Sequence, residues 1–132
     1  MTVAKVMEAL GLKLLTKDVC LEGEVTGGCV CDLLSVVMAE GEAGMAWITV
    51  QTHLNVIAVA SLHEFSCVIV SGDAAVEAET LEKAQAEGIP VLVSPETNYS
   101  LAGKLYQLGI HCCKPWWIFI STPACPPAGT AP

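Results

Sequence analysis

The sequence predicts an α/β fold: a mostly parallel sheet of about four to five strands covered by helices on both faces, a three-layer α/β/α arrangement. Three observations predict it. CVIV (Cys67–Val70) and PVLV (residues 90–93) are apolar at every position, the pattern of strands enclosed on both faces. Three stretches of helical period end alike, in a glycine followed by an apolar residue: Gly11-Leu12, Gly88-Ile89 and Gly109-Ile110. Glycine takes the left-handed conformation there without steric cost, and the next apolar residue packs back on the last turn. Short β-branched runs alternate with these stretches, the spacing of strand–helix–strand crossovers.

Taken in order, Val3, Val6, Met7 and Leu10 recur at helical spacing, so the chain opens with a helix that stops at Gly11. Residues 13–15 form a short strand. Residues 24–30 add a further strand, and Asp32 caps a helix running to about residue 38. A strand over residues 45–50 leads into NVIAVASL, read as a buried helix from Asn55 onward. After Cys67–Val70, Ala78, Leu81 and Ala84 mark the helix that ends at Gly88, residues 90–93 the next strand, and Leu101, Leu105 and Leu108 the last helix. Beyond Ile110 the composition changes. Residues 111–132 hold five of the seven prolines and two of the three tryptophans, with no helical period. The expected organisation is one α/β domain, residues 1–110, and a Pro/Cys/Trp-rich tail, residues 111–132. The tail is either an appendage to a complete domain or a segment whose WWIFI run lies along a sheet edge or a partner.

A length of 132 residues suits a single core. Only 15% of residues are charged while 53% are hydrophobic, against roughly 25% charged in an ordinary soluble domain. That excess of apolar side chains predicts a homodimer. The net charge of -8 argues against nucleic acid and against an anionic membrane surface, both of which need Lys and Arg. MTVAKVMEALGLKLL lacks the cationic and apolar regions of a secretory signal, and the longest apolar run, residues 45–62, is broken by Gln51, Thr52, His53 and Asn55. A cytoplasmic location is expected, where the seven cysteines would be reduced thiols.

Three segments, LEGEVTGGCVCDLLS, WITVQTHLNVIAVASL and ETLEKAQAEGIPVLVSPET, resemble the DRTGG domain family, and the resemblance spans about residues 2–110. Thr26, Gly27 and Gly28 match its Thr-Gly-Gly, while Glu22 and Gly23 stand where the family has Asp and Arg, and a glycine cannot supply a guanidinium's fork of donors. The QTHLN stretch extends the match. The resemblance implies a small α/β regulatory module without catalytic activity. Such modules occur beside the catalytic region of some phosphotransacetylases, between CBS domains in certain pyrophosphatases, and as stand-alone proteins encoded near iron-only hydrogenases; the family is also similar to the N-terminal domain of HPr kinase. The alternative it implies is an interaction or dimerisation module, without ligand, that associates with a redox enzyme such as a hydrogenase.

Gln51, Thr52, His53 and Asn55 fall between a strand end and a helix start, the place where open α/β sheets bind ligands. Helix-terminal N–H groups and the helix dipole there favour a small anion, and the family resemblance implies a nucleotide-like one. The competing reading is that Thr52 or Asn55 caps the helix and His53 bonds a neighbouring loop. Ser71, Asp73 and Ser94 also follow apolar strands and should share that rim. Thr26-Gly27-Gly28 reads either as a close-approach loop for a phosphate or as a turn or bulge. No nucleophile–base set, GxxxxGK[ST] loop or metal ribbon is legible, so neither an enzyme nor a metal or other cofactor is expected. Cys29-x-Cys31 with Cys20 offers soft metal ligands, yet on a strand the CxC pair shares one face and reads as small buried hydrophobes.

Overall fold

The computed structural model describes residues 1–111. Its elements, in chain order, are α1 (Val3–Leu10), β1 (Lys13–Leu14), β2 (Gly27–Val30), α2 (Leu34–Glu40), β3 (Met45–Thr49), α3 (Leu54–Leu62), β4 (Cys67–Val70), α4 (Ala78–Glu87), β5 (Val91–Val93) and α5 (Asn98–Gln107). The five strands form one sheet in the order β1-β5-β4-β3-β2. The pairs β2–β3, β3–β4 and β4–β5 are parallel, and β1 closes the β5 side antiparallel. The three-layer fold expected from the sequence is present. The tail, WWIFI included, lies outside the described residues.

The uniformly apolar strands have their explanation in two cores, one on each face. Ala46, Ile48, Cys67, Ile69 and Leu92 pack with Val3, Val6 and Leu10 of α1 and Leu101 and Leu105 of α5. The alternate residues Met45, Trp47, Val68, Val70 and Val91 pack with Val37 of α2, four residues of α3 and Ala84 of α4. Successive strand side chains point to opposite faces, so a strand enclosed on both must be apolar throughout. The helix α3 lies between α2 and α4, which is why it buries Val56, Ile57, Val59 and Ala60 around more than one side.

The three glycine stops are present. Gly11 (φ 65°) and Gly88 (φ 72°) cap α1 and α4 in the left-handed conformation. Gly109 (φ 90°) follows α5 by two residues, and Ile110 N–H returns to Leu105 O at 3.1 Å. Leu12, Ile89 and Ile110 are buried in the cores, as the motif requires.

Two sequence expectations shift. The strand predicted over residues 24–30 begins only at Gly27, because Val25 N–H bonds Met1 O (2.8 Å) and Thr2 bridges Glu24, so this segment pairs with the N-terminus instead of β3. Asp32 does not cap α2. Leu33 holds the cap position and makes no side-chain bond there, while the Asp32 carboxylate is engaged elsewhere.

The turn before β3 depends on Gly44 (φ 85°), where a Cβ would fall on Thr26 Oγ1. Gly44→Ala is expected to lower stability by about 1–3 kcal/mol in urea unfolding, and by less in a Thr26→Ala background, where the clash is gone but the backbone strain stays. Equal losses in the two backgrounds would show that the contact with Thr26 contributes nothing.

Candidate functional site

The parallel strands end on a common rim, and that rim carries most of the polar side chains that the cores exclude. Gln51, Thr52, His53 and Asn55 follow β3, Ser71 and Asp73 follow β4, and Ser94 follows β5. These seven candidates therefore share one edge of the sheet. Thr26, Gly27 and Gly28 do not. Gly27 and Gly28 register with Met45 and Ala46, the first residues of β3, which puts Thr-Gly-Gly at the amino ends of the strands, the opposite end from the rim.

At that far end the glycines have structural partners. Gly28 packs against Leu105 and Ile110, and its N–H donates to His111 O at 3.1 Å. Thr26 N–H donates to Gly44 O (2.9 Å). The two residues immediately before Thr26 are Glu24 and Val25, so a contiguous family motif falls on these and not on Glu22 and Gly23. Val25 is a core residue, and no guanidinium stands in its place.

The centre of the rim is Asp32, which follows β2 directly after Cys31. Its Oδ1 accepts from Thr49 Oγ1 (2.8 Å) and from Val50 N–H (2.8 Å). Its Oδ2 accepts from Asn98 Nδ2 (3.3 Å), and its carbonyl accepts from Gln51 Nε2 (3.2 Å). Asn98, the first residue of α5, in turn accepts from the Ser71 hydroxyl. One network thus joins the ends of β2, β3 and β4 to the start of α5. Thr49 and Ser71 are fully buried, so the network satisfies hydroxyls that would otherwise be stranded at the edge of the core.

The helix starts around the rim are capped in different ways. His53 is the N-cap of α3, its Nδ1 accepting from Asn55 N–H (3.1 Å). The cap therefore belongs to His53 and not to Thr52 or Asn55. Thr97 caps α5 by accepting from Ser100 N–H (3.2 Å). The start of α4 has no side-chain cap; near it, the buried Thr80 hydroxyl donates to Thr52 O (2.9 Å) and ties α4 to the QTHLN loop. Between β4 and β5 the loops are stitched together by Gly72 N–H to Glu96 O (2.8 Å) and Asp73 N–H to Ser94 O (2.9 Å). Asp73 itself sits in the left-handed region (φ 55°).

Electrostatically the rim is acidic. Asp32, Asp73, Glu77, Glu79 and Glu96 lie along it. Two lysines offset this charge: Lys104, which is paired with Glu96 at 2.7 Å, and the exposed Lys13, which antiparallel pairing sets opposite Val93 at the end of β5. The Lys104 hydrogen bond, then the Ser100 hydroxyl (2.6 Å), hold the Glu96 carboxyl below the usual glutamate range. The thiols are of a different kind. Cys67 is buried, and desolvation pushes its pKa up to about 12, which makes it an inert core residue. Cys29 and Cys31 both pack against the second core, as a CxC pair on one strand face should. Among the described residues, no three His, Cys, Asp or Glu side chains are grouped so as to hold a metal ion. Nor is any described helix long and apolar enough to cross a membrane.

Asp32, Asn98 and Thr80 were not among the residues singled out as binding candidates. Asp32 was legible as an acid directly after a strand, but helix capping accounted for it equally well. Asn98 and Thr80 carry no sequence signal of this kind, since their roles depend on which loops the sheet brings together.

No family model matches the chain, and no curated protein matches it. Among solved structures, the fold is similar to the CBS and DRTGG domains of the regulatory region of Clostridium perfringens pyrophosphatase, complexed with the activator diadenosine tetraphosphate. The TM-score is 0.61 at 14% identity, over 80% of this chain and 46% of that one. The chain has a DRTGG/CBS-like fold. It spans about half the length of the chain it matches, and at this identity the fold is what the two share. The comparison adds nothing for the redox-enzyme partner or the homodimer expected from the sequence.

Two outcomes test the rim. Asp32→Ala should destabilise by about 1–3 kcal/mol in urea unfolding, because it strands the buried Thr49 hydroxyl and the Val50 N–H together. Asp32→Asn, which keeps an acceptor oxygen at Oδ1, should cost clearly less; equal costs would mean the network contributes little. The second outcome concerns pH. The folded-state pKa of Glu96 is depressed, so its contribution is present above the ordinary glutamate value of 4.5 and is lost as pH falls through the lower folded value. Lys104→Met should therefore flatten the acid side of the stability profile, and an unchanged profile would remove the pair from consideration.

Proposed function

We propose that this protein is a non-catalytic regulatory module that binds a small anionic, nucleotide-like ligand at the carboxyl rim of its sheet. The observation that carries the proposal is the Asp32-centred network, which gathers side chains from three strand ends and a helix start at the edge where open α/β sheets hold ligands. The structural neighbour supports the reading, being a regulatory region complexed with a dinucleotide activator.

The chemistry of the rim suggests how such a ligand would be divided. Acceptors and amides dominate: the Asp32 carboxylate, the Gln51 and Asn98 amides, and the exposed Asp73. These suit the hydroxyls of a ribose and the edge of a base. The rim's acids outnumber its lysines, Lys104 being paired with Glu96 and Lys13 standing at the β1 edge, so the phosphates would rely mainly on backbone N–H groups. The start of α4, which has no side-chain cap, provides them.

A thermal-shift panel of nucleosides, mono- and dinucleotides and inorganic phosphate is the test. A ligand that binds only the native state raises the melting temperature by mass action. The expected result is a concentration-dependent rise with nucleotides that exceeds the rise with nucleosides or phosphate alone. Gln51→Ala and Thr52→Val should abolish it. His53→Asn should retain the fold by preserving a capping side chain, whereas His53→Ala should cost about 0.5–2 kcal/mol of stability even without ligand. A flat response across the panel for the wild type would sink the proposal.

A further inference from the structure

The helix α2 is apolar in composition, LSVVMAE, yet it buries only Val37. Val36 and Met38 are exposed by 39% and 43%, and Leu33, at its cap position, by 60%. Between α2 and α3 runs a shallow, mainly apolar groove of about 340 Å³, lined by Leu34, Ser35 and Met38 on one side and Asn55, Ala58 and Val59 on the other. Its floor is open because Ala58 is small. Leu62, 65% exposed, follows on α3 as it leaves the groove. An apolar surface of this kind is the feature that marks interaction sites on soluble proteins.

Charge indicates the occupant. Residues 18–82 contain eleven Asp or Glu and no Lys or Arg. That stretch includes both helices that line the groove. Asp32 precedes α2 at one end of the groove, and Glu40, the last residue of α2, and Glu64, just past α3, stand at the other. A second copy docked on this surface would bring the same acids against each other with no cation of this stretch to offset them. A cationic partner meets apolar floor and acidic ends together.

We propose that the α2–α3 groove is a docking site for a cationic amphipathic helix of a partner protein, its apolar face in the groove and its Lys or Arg residues against Asp32, Glu40 and Glu64. At 1.5 Å per residue, the seven residues of α2 extend for about 10 Å. That accommodates about two turns of a partner helix, with anchors at i and i+3 or i+4. The groove shares Asp32 and Asn55 with the rim, whereas Ser35 and Ala58 belong to the groove alone, so variants at those two positions separate this proposal from the ligand reading.

Fluorescence anisotropy on the full chain tests it. The probe is a labelled peptide of about five helical turns, with leucines on one face and lysines on the other. Its controls are a peptide of identical composition with the leucines dispersed, and one with glutamate for lysine. The proposal expects saturable micromolar binding of the first peptide alone. Ala58→Trp, which fills the groove from an exposed position, should weaken that binding at least about tenfold, the scale set by losing one well-packed anchor. Ser35→Trp should do the same by a second route, and both variants should keep the wild-type melting transition. Equal binding by the dispersed-leucine peptide would reduce the effect to bulk charge and overturn the proposal. So would wild-type affinity in both folded variants, or no binding at all. Sedimentation showing a dimer that Ala58→Trp dissociates would assign the groove to a second copy and overturn it as well.

Discussion

Trp47 sits in the middle of β3 without solvent exposure, while its neighbours Ala46 and Ile48 point into the other core. A strand enclosed on both sides leaves polar groups nowhere to go but its ends, and the rest of the molecule follows from that restriction. Helices must cover both faces. The loops at the strand ends must then hold the hydrogen-bonding groups that the cores reject. Even the Trp47 indole obeys it, sending its N–H to Cys31 O (2.8 Å) at the end of the adjacent strand. Its ring packs edge-on against Phe65, at 5.8 Å and 77°, which fixes the end of α3 against the sheet.

This restriction explains why the fold was legible in the sequence. Burial on both faces leaves a mark on every residue of CVIV, and a left-handed glycine followed by an apolar residue marks a helix end from local information alone. Strand boundaries were less legible where a competing partner lay far away in sequence. Nothing at Glu24 and Val25 announces that they pair with Met1 and Thr2 and leave β3 to begin its pairing at Gly27. The site divided in the same way. Residues directly after apolar strands could be placed on one rim by counting, whereas Asp32, Asn98 and Thr80 act through contacts 66, 27 and 28 residues apart in sequence. No local pattern encodes those.

The capping of α3 shows how one residue type can support two readings at once. Histidine is an uncommon N-cap, since serine, threonine, aspartate and asparagine are preferred. Here the His53 ring nitrogen accepts from Asn55 N–H, which requires Nδ1 to be unprotonated. That leaves Nε2 as the donor of an exposed ring at the rim. Capping and ligand contact are therefore compatible for His53, each using a different nitrogen. The two readings were competitors in the sequence only because geometry had not yet assigned the nitrogens.

The Thr-Gly-Gly segment points to a division of labour between the two ends of the sheet. At the amino end, Gly28 approaches Ile110 and Leu105 closely, Gly44 turns against Thr26, and Gly28 N–H reaches His111 O. Every one of those contacts ties a peripheral segment to the start of a strand. Val25, in the core, holds the position before Thr26, so no side-chain cation stands at that position. At the carboxyl end the polar groups are Asp32, Thr49 and Ser71, joined through side-chain bonds in which the two buried hydroxyls are satisfied and Asp32 stays exposed. Thr-Gly-Gly is thus a packing feature at one end of the domain, while the exposed hydrogen-bonding side chains of the rim sit at the other. Here the distinction rests on register: Gly27 pairs with the first residue of β3 and Val30 with Ile48, one residue before its last.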